Sequence, residues 1–155
     1  MARRHTAMDY PTIGRLQFDA TGGDGNCWSV AIAGDTVVVD THPHLEAVDD
    51  TEAWLKTLRN LRRGRFVETT IVPGRGPLCD QTATKPVSDY VTLVRRRVRS
   101  LHRAERPKGD TSGFVSELLP LFPFPEERRD VVQRRIKAGL DQVYEELKPP
   151  EEEEE

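Results

Sequence analysis

The sequence is poor in the residue types that hold small secreted domains and metal sites together. It has only two cysteines, Cys27 and Cys79, which lie far apart and form no C-x-x-C pair. We therefore expect neither a disulfide-stapled fold nor a thiolate zinc site, and interpret both cysteines as small buried hydrophobic residues. Histidine is also scarce, and the complete set is His5, His42, His44 and His102.

Long apolar runs are missing as well. No stretch approaches the ~18 apolar residues that a membrane helix needs, and the chain turns polar directly after Arg3 and Arg4, unlike a signal peptide. With 32% charged and 36% hydrophobic residues, the composition indicates a soluble, cytoplasmic protein. The net charge is −3, but it comes from the five glutamates at 151–155, and the rest of the chain is slightly positive. A dedicated nucleic-acid-binding domain would be strongly basic.

The strand patterns lie in the first half of the chain. Residues 27–33 alternate in the period of a half-buried strand, and the apolar run 37–39 favours a strand buried on both faces. Gly34 and Asp35 separate these two strands. The β-branched stretch 66–72 predicts a third strand, which the turn-rich segment 73–77 ends.

Helical periodicity follows the strands. The first helix is predicted between Asp49, which has capping-box spacing with Glu52, and Gly64, and its apolar face comprises Trp54, Leu55, Leu58 and Leu61. The second half of the chain is helical throughout, with a short helical segment at 114–119 between two long helices. The apolar positions of those long helices are Val87, Tyr90, Val91, Val94, Val98 and Leu101, and then Val132, Ile136, Leu140, Val143 and Leu147.

These patterns predict an α/β fold class. They divide the chain into four parts: an irregular N-terminal segment at 1–26, an α/β part at 27–80, a helical region at 81–148 and a disordered acidic tail at 149–155.

Two segments resemble motifs of the metallo-β-lactamase superfamily of hydrolases. Residues 33–39 read A-G-D-T-V-V-V and precede H-P-H-L at 42–45, which is similar to that family's strand-end G-D and downstream H-P-x-L. Residues 71–77 read I-V-P-G-R-G-P and resemble its V-P-G-H-G-P loop. The resemblance covers about residues 28–80. It implies a partial αββα sandwich, with few strands and one or two covering helices, followed by a helical C-terminal region.

The resemblance also implies a chemistry and a site. The family hydrolyses esters, thioesters or phosphodiesters at zinc, and Asp35 takes the position of the carboxylate that bridges the metals. The other ligands are missing: there is no H-x-H-x-D-H motif, Gly22-Gly23 leads into Asp24 where a histidine is expected, and Arg75 replaces the G-H-G histidine. Arginine has no lone pair for a cation. We therefore expect this chain alone to bind no zinc and to have little or no activity.

Several candidate residues have two interpretations. Asp35 is either a ligand position or part of a hairpin turn at 33–36, and in the second case Asp40 ends a buried strand and becomes a further metal candidate. His42 and His44 form either a metal-binding pair or a loop that caps the next helix. Arg75, between two glycines, either holds an anionic substrate group or is a surface arginine in a turn.

A basic segment supports an alternative function. Seven basic residues and one acid lie between Arg95 and Lys108, and we expect one set of them to project away from the valine stripe: Arg95, Arg96, Arg99, Arg103 and Arg106. This face is either plain solvated surface or a binding site in a non-catalytic interaction module. No aromatic residues interleave with it, so nucleic acid is not favoured as a partner. The glutamate run 151–155 is a possible cover for it.

Partners follow from the incomplete fold. Half a sandwich leaves an apolar sheet face open, which predicts self-association into a homodimer or a companion chain that supplies the missing half. With such a companion the chain would be a subunit of a composite metallohydrolase.

Overall fold

The computed structural model describes residues 4–8, 13–19, 27–63 and 69–151 and has an α/β architecture, which confirms the predicted fold class. The strands are β1 (Arg4–Met8), β2 (Ile13–Asp19), β3 (Cys27–Val38) and β4 (Thr70–Arg75). The helices are α1 (Thr51–Leu61), α2 (Thr84–Arg103), α3 (Val115–Leu118) and α4 (Arg129–Glu146). Within these ranges, every helix is too short or too polar to cross a membrane.

The four strands form one mixed sheet in the order β1-β2-β3-β4. The pairs β1–β2 and β2–β3 are antiparallel, whereas β3 and β4 are parallel. The expectation of an irregular segment at 1–26 is wrong where β1 and β2 form. In β2, Leu16 and Phe18 alternate with polar neighbours, which is the pattern of a strand. The predicted loop at 21–26 lies outside the described residues.

Strand β3 is continuous where two strands were expected. Gly34 has a φ of +53°, and the pairing with β4 shifts on both sides of it, so the residue forms an irregularity inside one strand. The hairpin-turn interpretation of 33–36 is wrong, because the chain continues in the same direction and Val38 still pairs with Arg75. The partner of Gly34 is Pro73, which has no N–H to donate to a regular ladder.

Strand β4 also differs from its prediction. It begins at Thr70 and continues to Arg75, through the proline and glycine that were expected to end it. Residues 66–68 lie outside the described part of the chain.

The chain divides into two compact units. The first comprises Met1–Pro43 and Glu52–Asp89. Its α1 is joined to β3 by a buried hydrogen bond in which the Trp54 indole N–H donates to the Thr36 carbonyl at 2.9 Å. The buried apolar residues of this unit confirm the predicted stripe of α1 in three of its four positions: Ala31, Ala33, Val37, Val38, Trp54, Leu58, Leu61, Ile71 and Val87.

The second unit comprises His44–Thr51 and Tyr90–Glu155 and is helical. Tyr90 meets Phe122 edge to face at 5.6 Å, and Gly139 of α4 lies so close to Leu45 that a Cβ there would be 3.0 Å from the leucine. The predicted segment at 114–119 is α-helical only in α3, and a 3₁₀ turn lies on each side of it. Pro120 prevents α3 from continuing as a longer α-helix. Its buried apolar residues include most of the predicted positions of α2 and α4: Leu45, Tyr90, Val91, Val94, Val98, Leu101, Leu118, Leu119, Phe122, Ile136, Leu140 and Val143.

A buried polar cluster, formed by Thr51, Arg95 and Glu146, lies in this second unit; we refer to it as the Arg95 cluster. The Arg95 guanidinium donates to the Thr51 hydroxyl at 2.6 Å and lies 3.8 Å from the Glu146 carboxylate. That carboxylate accepts from the Thr51 hydroxyl at 2.7 Å and also from the Thr51 backbone N–H. Glu146 therefore provides hydrogen-bond acceptors for the backbone N–H and the hydroxyl of Thr51, the first residue of α1. The capping-box expectation for Asp49 is not met, since its carboxylate accepts from Gln142 instead.

We predict that Arg95→Met destabilises the protein by about 3 kcal/mol, because it leaves the largely buried Glu146 carboxylate, with 11% of its side chain exposed, without its counter-charge. Arg96→Met, one residue along the same helix at an exposed position, should change stability by less than about 0.5 kcal/mol. Urea unfolding of both variants measures the difference. The double variant Arg95→Met/Glu146→Met should recover part of the loss. Equal losses for Arg95→Met and Arg96→Met would contradict the assignment.

Candidate functional site

The parallel pair β3–β4 brings the two motif segments together. Gly34 pairs with Pro73, and beyond β3 the Val39 N–H donates to the Arg75 carbonyl at 3.0 Å. Asp35 therefore lies beside residues 73–77, which comprise the end of β4 and the turn after it and which we call the glycine-rich loop, at the same end of both strands.

Two glycines of that loop make this approach possible. A Cβ on Gly74 would lie 2.7 Å from the Gly34 carbonyl carbon and 2.8 Å from the Asp35 nitrogen, and it would overlap the Asp35 carboxylate oxygen. Gly76 has a φ of +98°, and a Cβ there would lie 2.7 Å from the Val39 Cβ. The space that the missing side chains leave is filled by the backbone and side chains of 34–39.

The charged groups at this end of the sheet are accessible. Asp35 and Arg75 are both exposed, and within the described ranges neither takes part in an ion pair. An exposed carboxylate and an exposed guanidinium can each bind a substrate group of opposite charge. This chemistry is compatible with the interpretation of Arg75 as an anion-binding residue.

The metal candidates do not assemble into a zinc site. Among the described residues, no three histidine, cysteine, aspartate or glutamate side chains come together in a group that could hold a metal ion. Asp40 is exposed and takes a left-handed conformation, with φ of 53°, just after β3. Asp35 alone offers one carboxylate, whereas a zinc site needs three or four protein ligands. The residues present therefore do not fit a complete zinc centre.

His42 and His44 have different environments. His42 is buried, with 7% of its surface exposed, and belongs to the first unit. His44 belongs to the second unit and is half-buried, with its Nε2 3.5 Å from a guanidinium nitrogen of Arg135. An arginine beside the ring nitrogen disfavours a metal cation at the same place.

Cys79 follows the glycine-rich loop and behaves as a packing residue. It is a free, half-buried thiol whose sulfur lies 3.7 Å from the Ile71 carbonyl. Burial, and to a smaller extent the neighbouring Asp80 carboxylate, raises its pKa. The thiol therefore stays protonated at neutral pH and is a poor nucleophile. The side chain of Cys27 lies outside the described part.

Four of the seven basic residues between positions 95 and 108 are paired with acids. The closest distances are 2.6 Å for Arg97–Glu117 and Arg106–Asp110, 3.0 Å for Lys108–Glu145 and 3.8 Å for Arg95–Glu146.

The expectation that Arg95 belongs to an exposed binding face is wrong, because only 7% of its surface is exposed. The spacing explains this burial: Arg95 lies four residues after Val91 and three before Val98, so it shares their side of α2.

The other three, Arg96, Arg99 and Arg103, remain exposed. No ion pair in the described part of the chain includes them. Their spacing of three and four residues places them in one row along α2. We call this row the arginine stripe. Of the charged groups that the sequence analysis identified, this row is the densest set that stays exposed and without ion pairs in the described part of the chain.

Neither a protein-family model nor a curated protein sequence matches the chain.

The close approach of Asp35 to the glycine-rich loop can be tested through Gly74. We predict that Gly74→Ala costs about 2 kcal/mol of unfolding free energy, since the new methyl group overlaps the backbone at 34–35. Gly113→Ala is a matched control, because a Cβ at Gly113 meets nothing within 4 Å. It should be neutral to within about 0.5 kcal/mol. Thermal unfolding of both variants provides the comparison, and an equally stable Gly74→Ala protein would contradict the described packing.

Proposed function

We propose that this chain forms one half of a metallo-β-lactamase-like hydrolase, with a helical extension. The observation that carries the proposal is the contact between Asp35 and Gly74, which unites the two segments that resemble this family. In that fold the two segments border the catalytic centre. The four-stranded sheet with α1 then corresponds to part of an αββα sandwich.

Asp35 and Arg75 have separate roles in this proposal. Asp35 provides one metal-ligating carboxylate, and Arg75, in the position of a histidine, binds an anionic group of the substrate. The substrate class is an ester, a thioester or a phosphodiester. Zinc, when bound, would supply the activated water, but the described residues do not fit a complete zinc centre.

The family's H-x-H-x-D-H motif is absent from the sequence, so in this proposal the remaining ligands come from a second polypeptide segment. A homodimer does not supply them, because the chain contains no H-x-H-x-D-H motif to contribute from a second copy. The proposal accordingly requires a polypeptide segment of different sequence that carries this motif. Without it, the chain is inactive or weakly active.

We predict that the purified chain with added zinc retains less than one zinc per chain and does not hydrolyse p-nitrophenyl acetate or bis(p-nitrophenyl) phosphate. Reconstitution with a polypeptide that carries H-x-H-x-D-H and is encoded beside it should give both zinc binding and hydrolysis. In that assembly Asp35→Asn should lower turnover at least tenfold (about the effect of removing a group that supports a ligand). Mass spectrometry and a colorimetric assay measure the two quantities.

Asp89→Asn is the matched control, because Asp89 is an exposed aspartate of the same unit that pairs with Lys85. It should leave turnover unchanged. Stoichiometric zinc in the isolated chain would refute the requirement for a second segment. Full turnover of the Asp35→Asn assembly would show that the site lies elsewhere.

A second candidate function is a non-catalytic interaction module, which the arginine stripe favours. Three exposed guanidinium groups, without ion pairs among the described residues, suit a partner with clustered carboxylates, because each can donate two parallel hydrogen bonds to a carboxylate. The amphipathic helices of the second unit then act as the scaffold that presents the stripe.

For this second candidate we predict that a fluorescent poly-glutamate peptide binds the chain and that Arg96→Gln/Arg99→Gln/Arg103→Gln weakens it about tenfold. Three exposed ion pairs together contribute about 1–2 kcal/mol, which corresponds to that factor. Fluorescence anisotropy measures the affinity. The control removes three exposed positive charges of the same unit, at Arg128, Arg134 and Arg135. An equal loss in the control would mean that only net charge matters.

A further inference from the structure

We infer that the glutamate run at 151–155 docks on the arginine stripe and covers it. The inference depends on the stripe that supports the second candidate function, and it is independent of the hydrolase resemblance. The occupant is an acidic segment of this same chain, identified by the place where that segment leaves the helical unit and by its charge.

The contacts of α4 show where the segment begins. The Tyr144 carbonyl lies 2.9 Å from the His102 ring nitrogen, and the two rings are 4.1 Å apart. Two residues later along α4, Glu146 pairs with Arg95, which lies seven residues closer to the start of α2. The last turn of α4 therefore packs along α2, and its end lies closer to the start of α2 than its beginning does.

The side of α2 that contacts α4 is next to the arginine stripe. Arg95 lies four residues before Arg99, so this stripe residue is its neighbour on the helix surface. After α4 ends at Glu146, the prolines at 149–150 prevent helix continuation, and Glu151 is exposed. The chain thus leaves the helix beside the stripe.

The length of the segment matches the length of the stripe. Arg96 and Arg103 are separated by seven residues of helix, or about 10 Å. The run 151–155 begins four residues after Leu147 and ends eight residues after it, so it reaches from about 13 to 26 Å when extended. This span allows several glutamates to face the stripe together.

Within the basic segment 95–108, charge favours the stripe as the docking site. Arg95, Arg97, Arg106 and Lys108 already have carboxylate partners, whereas the stripe has none among the described residues. Each new pair is exposed and weak, but a short tether holds the run at an effective concentration on the order of millimolar. Docking is therefore reversible and sensitive to salt. An external acidic ligand must displace it.

The test compares the full chain with a variant in which all five glutamates at 151–155 are replaced by glutamine. The ¹H–¹⁵N spectrum should show shifts of the backbone and Nε–H signals of the arginine stripe. High salt should produce the same shifts in the parent chain and little change in the variant. Addition of a poly-glutamate peptide to the variant should restore the parent positions.

The control signals are those of Arg128, Arg134 and Arg135, which should not move. Unchanged stripe signals would overturn the inference, and if the added peptide still bound the stripe, the second candidate function would stand alone. Equal movement of the control signals would indicate a net-charge effect and would also overturn it. Stripe signals that shift with protein concentration would assign the contact to a second copy and would overturn the inference. Restoration of the parent positions by an oligothymidylate but not by the peptide would overturn it too.

Discussion

Parallel pairing of β3 with β4 is the constraint on which the candidate site depends. Two parallel neighbours cannot be joined by a tight turn, so the chain must cross over, and α1 forms in that connection. The Trp54 indole joins this helix to the Thr36 carbonyl of β3. Because both strands run in the same direction, Asp35 and the loop at 73–77 emerge at one end of the sheet. An antiparallel pair in the same positions would separate them.

Helix α2 shows how burial assigns different roles to identical side chains. Arg95 and Arg96 are neighbours in sequence, but one supports a carboxylate inside the second unit and the other is open to solvent. A buried arginine without Glu146 would be a charge without compensation, whereas an exposed one loses little when it stays unpaired. Only the exposed arginines are therefore available for recognition.

Local patterns account for much of the fold but not for its long-range contacts. The periodicity of α1, α2 and α4 identifies the buried residues, and the positions of Val91 and Val98 already indicate that Arg95 faces the same way. The alternation in 13–19 is typical of a strand, but 1–26 was predicted to be irregular, so β2 was missed. By contrast, no local pattern links Glu146 to Thr51, since the residues around each of them carry no signal for a contact 95 residues away. The contact of Asp35 with Gly74 depends on strand register, which short-range preferences do not determine.

The Arg95 cluster also has a consequence for the order of folding. Thr51 and Glu146 are 95 residues apart in sequence, and contacts of such separation close late because the intervening chain must first be ordered. During synthesis, the Thr51 N–H at the start of α1 cannot form its hydrogen bond to Glu146 until the last turn of α4 has left the ribosome. Until then neither Arg95 nor Lys108 has its carboxylate partner, since Glu146 and Glu145 both belong to that turn.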